Sequence, residues 1–275
     1  MPQNALQRQE GGRRTRQGHH AEAPLISVIT VVYNGSKSIT PTVNSVATQT
    51  FHNYELIVVD GASTDGTVDA LNQMDDKIDY WVSEPDAGIY DAMNNGIKLA
   101  RGEWLYFLNS GDTFVSPRVL ERIAAFLEQS SAPIVVGYVN VLDDGNAAGR
   151  FPLGIASSHS IRELFRNRFC HQALFIRRKS YQEVGGFDAR FPTFADFFAF
   201  CRISKRLGGF EQVPIEIANF DLFGASSDYR KSLPLYRERE RIFNQLGEKK
   251  SPPAYLIGMA RAFAYRYKRM VSSKR

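Results

Sequence analysis

Asp112 closes the run Asn109-Ser110-Gly111-Asp112, directly after the apolar stretch Glu103 to Leu108, and so stands just past a buried strand. A carboxylate there can hold a divalent cation against substrate phosphates, since Mg2+ takes one or two protein carboxylates and completes its shell with phosphate and water. Two other apolar runs end in similar clusters. Leu25 to Val32 ends at Tyr33-Asn34, and Tyr54 to Val59 ends in Asp60-Gly61-Ala62-Ser63-Thr64-Asp65-Gly66-Thr67. In the latter, small residues let the backbone approach a ligand, Asp60 can accept from base or ribose donors, and Ser63, Thr64 or Asp65 can cap a following helix. A cap and a ligand cradle use the same exposed amides, so both roles can hold together.

These clusters have meaning only if one scaffold brings them together. Leu25 to Tyr33 is nearly continuous in apolar, β-prone residues, as a strand buried on both faces must be, and Tyr54 to Asp60 repeats the pattern. Helical patterns over Ile39 to Thr50, Gly66 to Met74 and Gly88 to Arg101 alternate with strand patterns over Tyr80 to Ser83 and Glu103 to Leu108. Pro117 to Glu128 and Pro133 to Leu142 add one more helix and strand. Alternation of this length predicts an α/β fold with a doubly wound, mostly parallel sheet. In such sheets the ligand crevice lies outside the carboxyl ends of the strands, where all three clusters would sit. Beyond Asp143 the rhythm fades into turn-rich segments, as expected of a half that receives a second substrate.

Composition narrows the function. At 275 residues and 43% hydrophobic content the chain can bury a large core. No apolar run approaches the ~20 residues needed to span a bilayer, and the N-terminus lacks the apolar stretch of an export signal. Cys170 and Cys201 lack metal-ligand spacing and suit a reducing compartment, so the expected location is cytoplasmic. The formal charge of +5 sits at the ends: Arg261 to Arg275 carries six Lys/Arg and no acid, and Arg8, Arg13, Arg14 and Arg16 outnumber Glu10 and Glu22. The body between is net acidic, which argues against a nucleic-acid groove. No G-x-G-x-x-G follows the first strand and no Gly-Lys-Ser/Thr marks a phosphate loop, so neither a nicotinamide enzyme nor a P-loop ATPase finds support.

Ile26 to Gly35, Tyr54 to Thr67, Ser83 to Gly96 and Phe107 to Asp112, in this order and spacing, resemble the nucleotide-binding half of glycosyltransferase family two, and more narrowly its bacterial exopolysaccharide and colanic acid branch. Cys170 to Phe175, Phe194 to Phe197 and Gly224 to Ser227 extend the resemblance through the acceptor half. It implies a GT-A fold, a nucleotide-sugar donor and displacement with inversion at the anomeric carbon. It also implies Mg2+ or Mn2+ on the diphosphate, held by Asp112 at the last acid of the family's D-x-D motif. Asp60 matches the acid that contacts base or ribose, and Asp196, among Phe191, Phe194, Phe197, Phe198 and Phe200, matches the general base. Asp86, Asp91 and Asn94 fall where the donor pocket continues. Tyr33, Asn34, Ser63, Asp65, Ser110 and Gly111 join them as donor-binding candidates, and His171 and Gln172 fall near the diphosphate or the acceptor.

Three departures stand out. Gly61 replaces the second acid of the common Asp-Asp-Gly-Ser pattern, Asn109 and Gly111 replace two acids of the metal motif, and Phe198 replaces an acid after the base. Gly111 is expected to make room for the donor sugar or its diphosphate.

The expected organisation is a disordered basic extension over 1–23, a GT-A domain over 24–247 with a donor half at 24–115 and an acceptor half at 116–247, and a basic tail over 248–275. In the tail, Leu256, Met259, Phe263, Tyr267 and Met270 recur at helical steps opposite Arg261 and Lys268. That stripe either lies on the anionic inner face of a membrane or packs on the enzyme's own body. The expected activity is transfer from a UDP-sugar, with GDP as the alternative, to a growing, lipid-linked exopolysaccharide or surface glycan. Its rivals are a nucleotidyltransferase acting on sugar phosphates and a weakened sugar-nucleotide-binding partner without turnover.

Overall fold

A computed structural model describes residues 8–16, 22–143, 146–151, 170–221 and 232–247. Residues 1–222 form one compact unit and 223–275 a second. The Gly224 to Ser227 motif and the tail over 248–275 lie outside the described residues.

Among the described residues, the first unit is built on a ten-stranded sheet. Its centre is β2 (Ile26–Val32), buried along its whole length, flanked by β3 (Tyr54–Asp60) and β5 (Trp104–Phe107), both parallel to it. β4 (Tyr80–Ser83) extends the parallel block beyond β3. The chain thus runs outward from β2 through β3 to β4 and then returns to β5 on the other side of β2. That reversal is a topological switch point, where the loops after β2 and β5 diverge and leave a crevice at the carboxyl edge. The predicted α/β, mostly parallel architecture is what the chain adopts.

Helices cover the sheet for the expected reason. α2 (Ile39–Ala47) buries Ile39, Thr42, Val43 and Val46, spaced as one face of a helix. α3 (Thr67–Gln73), α4 (Ile89–Leu99) and α5 (Val119–Leu127) follow the predicted segments, each one or two residues shorter at either end. Past β6 (Thr113–Phe114) and β7 (Ile134–Asp143), the sheet adds β8 (Asn146–Phe151), β9 (Leu174–Arg177) and the long β10 (Glu211–Asp221). β9 lies antiparallel between β5 and β7, and β10 pairs parallel with β7. A 3-10 turn, His171–Ala173, leads into β9. α6 (Arg178–Val184) and α7 (Ala195–Leu207) follow, and α8 (Ser232–Gln245) belongs to the second unit.

The N-terminal extension departs from expectation. Residues 8–16 are ordered as β1 (Gln9–Gly11), antiparallel to β4, and the short α1 (Arg13–Arg16). Charge rather than apolar burial holds them. Arg13 pairs with Asp79 at 2.9 Å, Arg16 with Asp75 at 3.0 Å and Arg14 with Glu55 at 3.2 Å. Glu55, 5% exposed at the start of β3, also accepts from Ser27 Oγ and the Arg101 N–H, both at 2.6 Å. Arg14 is its cationic partner. Hydrogen bonds to charged groups contribute about 2 kcal/mol, so removing residues 1–16 is expected to lower the melting temperature by roughly 4–8 °C in a domain of this size. Calorimetry of the shortened chain checks this, and an unchanged midpoint would mean that the segment adds nothing to stability.

Candidate active site

The loops after β2 and β3 are knitted together at the carboxyl edge. Asn34 N–H donates to Ser63 Oγ at 2.7 Å, Gly35 N–H to Thr67 Oγ1 at 3.0 Å, and Ser36 N–H to Asp65 at 3.0 Å; Thr64 N–H returns to Asn34 Oδ1 at 3.0 Å. Two non-glycine residues here hold positive φ, Asn34 at 49° and Ala62 at 60°. Asn tolerates this region; Ala does so only where its surroundings over-determine the backbone. Asp60 supplies that constraint. Fully buried, it accepts from Ser63 N–H at 2.9 Å, from the Ser63 hydroxyl and from Ser83 Oγ at 2.6 Å. Its carboxylate is therefore the organiser of the loop expected to face the donor.

The missing acid at position 61 has a structural counterpart. A Cβ on Gly61 would stand 2.5 Å from Asp86 Oδ2 and 3.3 Å from Tyr33 Cδ2, so the Asp86 carboxylate and the Tyr33 ring occupy that space. Tyr33 is 69% exposed, an aromatic face open at the rim of the crevice. Burial pushes the Asp86 carboxyl above its usual range, opposed by the Gly88 N–H it accepts at 2.8 Å and reinforced by Asp91 and Asp60. Asp91 accepts Ala87 N–H at 3.0 Å and so braces the same turn. Asn94 is different: its amide exchanges two hydrogen bonds with the backbone of Phe187, at 2.8 and 2.9 Å. It fastens α4 to the segment before α7 through both of its polar atoms.

The loop after β5 rests on α2. Ser110 Oγ meets Ser38 Oγ at 2.8 Å, and Thr42 Oγ1 accepts Gly111 N–H at 3.0 Å while donating to the Asp112 carbonyl at 2.8 Å. Gly111 has φ 102°, and a Cβ there would meet nothing nearer than Ser38 Cβ at 3.9 Å. Space is left open beside Asp112, which is 7% exposed.

Because β9 runs antiparallel to β5, the turn before it arrives at this same edge. Gln172, 2% exposed, donates from Nε2 to Asp112 Oδ2 at 2.8 Å and accepts from Cys170 Sγ at 2.8 Å. Burial holds that thiol protonated, well above its usual range. His171 lies between Asn109, with Nε2 3.0 Å from Nδ2, and Asp196, with Nδ1 3.0 Å from Oδ2. Asp196 stands in the first turn of α7, where the helix N-terminus favours a carboxylate. Its Oδ1 accepts Phe197 N–H at 2.8 Å and the Tyr90 hydroxyl at 3.0 Å. Two adjacent residues, His171 and Gln172, thus tie both predicted acids to one turn.

A divalent cation fits this donor set. Among the described residues no cluster of three His, Cys, Asp or Glu could form a closed metal cage. The protein would contribute the single Asp112 carboxylate, and the open face of Gly111 leaves room for the phosphate oxygens that complete the shell.

Comparison with known proteins agrees with this geometry. The profile described as "Glycosyl transferase family 2" matches residues 27–185. This chain belongs to glycosyl transferase family 2. The "PGL/p-HBAD biosynthesis glycosyltransferase" of Mycobacterium bovis is 32% identical over 226 residues, 78% of this chain and 85% of that protein. Among solved structures, S. aureus TarS 1-349 in complex with UDP-GlcNAc superposes with a TM-score of 0.63 at 19% identity, over 84% of this chain and 68% of that TarS 1-349 chain. The mannosyltransferase PcManGT from Pyrobaculum calidifontis, in complex with GDP-Man and Mn2+, gives 0.60 at 18% identity, over 89% and 70%. The expected GT-A fold and glycosyltransferase class are therefore met.

Tyr90, Ser38, Thr42 and the Asn109 link to His171 were not anticipated. The Ser38/Thr42 pair, four apart on one helix face, was the one readable signal. Titration offers a test of the knitted loops. Hydrogen bonds from the Thr67 hydroxyl and from Ser36 N–H pull the Asp65 carboxyl from 3.8 down to about 2. A folded-state value below the unfolded one stabilises the fold above the unfolded pKa and loses that contribution as pH falls through the folded value. The thermal midpoint of the wild type should therefore fall more between about pH 4 and about pH 2 than that of Asp65→Asn. Equal slopes would show that these bonds do not persist in solution.

Proposed function

We propose that this chain is an inverting, divalent-metal-assisted glycosyltransferase that moves a sugar from a nucleotide donor to a growing, lipid-linked surface or exopolysaccharide glycan. The observation carrying the reading is the convergence of Asp112 and Asp196 on the His171–Gln172 turn, at the carboxyl edge of a family 2 fold. In this reading the donor nucleotide lies over the knitted loops, its base against the exposed Tyr33 ring and Asp86. The rigid loops around Asn34, Ser63 and Asp65 present backbone to the ribose and diphosphate. Asp112 would hold Mg2+ or Mn2+, which when bound neutralises charge building on the diphosphate leaving group.

Asp196 then removes the acceptor's proton. Its carboxylate takes the hydroxyl hydrogen as the oxygen forms its bond to the anomeric carbon. The bond from that carbon to the diphosphate oxygen breaks on the opposite face, which inverts the centre. Proton removal by a positioned carboxylate contributes about 10²-fold or more. UDP is favoured as carrier because TarS was solved with UDP-GlcNAc, and GDP stands second because PcManGT was solved with GDP-Man. The relative's part in PGL/p-HBAD biosynthesis supports a glycan-building role. Among the described residues no helix is long and apolar enough to cross a membrane. In this reading the chain meets a lipid-linked acceptor peripherally, on the cytoplasmic face. Family membership leaves the nucleotidyltransferase reading without support.

Hydrolysis of UDP- and GDP-sugars with and without Mn2+, alongside calorimetric binding of UDP, tests the assignment. Asp112→Ala should lose turnover together with the Mn2+ dependence of UDP binding. Asp196→Ala should lose at least about 10²-fold in kcat yet bind UDP and Mn2+ as the wild type does. Wild-type binding with no turnover of any donor on a panel of acceptors would favour a sugar-nucleotide-binding partner instead.

A further inference from the structure

We propose that Asn109 and His171 are positioning residues for Asp196: the Asn109 amide N–H fixes His171 as a neutral imidazole with its proton on Nδ1, and that N–H orients the Asp196 carboxylate without neutralising it. The inference rests on the reading of Asp196 as the base. It starts from donor and acceptor identity. The Asn109 nitrogen, 3.0 Å from His171 Nε2, has only protons to offer, so Nε2 must present its lone pair. The ring proton then sits on Nδ1, aimed at Asp196 Oδ2 3.0 Å away. The other carboxylate oxygen accepts from the Phe197 N–H at 2.8 Å and lies 3.0 Å from the Tyr90 hydroxyl, whose single proton is shared with the Thr193 carbonyl at 2.7 Å. All three named donors are neutral. They aim the carboxylate without placing a positive charge beside it.

Residue type at 109 decides this state. The resemblance puts an acid there, and this chain has Asn. A carboxylate 3.0 Å from Nε2 would draw a proton onto that nitrogen as well, making an imidazolium held between two acids. Asp196 would then be ion-paired, and a paired carboxylate is a weaker base. The amide avoids this. Among the described residues, the neighbouring thiol and phenol do not supply a charge. Burial keeps Tyr181 and Cys170 protonated, each additionally raised by the nearby Asp196 carboxylate. Tyr90 faces Asp196 as a hydroxyl donor.

A double-mutant cycle on the full chain tests this, using hydrolysis of whichever UDP- or GDP-sugar the wild type turns over fastest. Asn109→Asp should lower kcat about tenfold or more while changing the donor KM less than about threefold, because the damage is to the base. His171→Gln keeps a neutral N–H donor toward Asp196 and cannot become a cation. In its background the Asn109→Asp change should cost less than about twofold. Nitrogen NMR of the labelled imidazole gives a readout independent of turnover: a neutral ring protonated on Nδ1 in the wild type near pH 7, and a doubly protonated ring in Asn109→Asp. The proposal is overturned if Asn109→Asp keeps wild-type kcat, if it costs the same factor with and without His171, or if the wild-type ring carries its proton on Nε2. Turnover retained in Asp196→Ala would remove the base reading itself, an outcome the ring NMR does not depend on.

Discussion

The antiparallel seating of β9 between β5 and β7 is the constraint on which the site depends. Phe175 pairs with Tyr106 on one side and Val135 on the other, and its ring stacks on Tyr106 at 4.5 Å in a fully buried layer. This joins the parallel block around β2 to the β7–β10 pair. It also reverses the polarity of one strand, so that the start of β9, and not its end, reaches the carboxyl edge. Had β9 run parallel, His171 and Gln172 would have emerged at the opposite edge, away from Asp112. Tyr106 secures the arrangement from beneath by donating its hydroxyl to the Gln172 carbonyl at 2.8 Å.

β3 shows how the two edges divide their roles. Its buried acids, Glu55 at the amino end and Asp60 at the carboxyl end, are solved differently. Glu55 receives a guanidinium from outside the parallel block, an arrangement suited to fastening one segment to another. Asp60 is surrounded by hydroxyl and amide donors from its own loop and from β4, and its charge stays close to the crevice. Burying a carboxylate demands several hydrogen bonds in either case. A cation neutralises the field, whereas neutral donors leave it directed at whatever occupies the edge. The same distinction recurs around Asp196.

Much of this was legible in the sequence because the central strands are buried on both faces and read as unbroken apolar runs. β2, β3, β4, β5 and β7 fall where those runs fall, and Asp60, Asp112 and Asp196 were found from strand ends and from the family's order of motifs. β1 escaped for an equally physical reason. Gln9-Glu10-Gly11 has no apolar pattern, and the acids that hold the segment, Asp75 and Asp79, lie more than sixty residues away. Long-range pairings likewise hid Tyr90 and the use made of Asn94. Both sit on α4 one turn apart, but what they bind, Asp196 and the Phe187 backbone, is set by tertiary packing. A residue type suggests what a side chain can do, and the partner it meets decides which of those things it does.

The ordered N-terminal strand has a consequence for the protein as a solute. A wide sheet exposes a row of unpaired backbone groups at each open edge, a template on which other chains can add strands. Here the terminal strands of the sheet path are β1, three residues long, and β6, two residues long. β1 covers the four-residue β4 with a short, charged, glycine-ended segment. At that edge the chain carries its own protection against edge-to-edge association, and fusion partners or tags placed close to Gln9 would bear on its solubility before they bore on its chemistry.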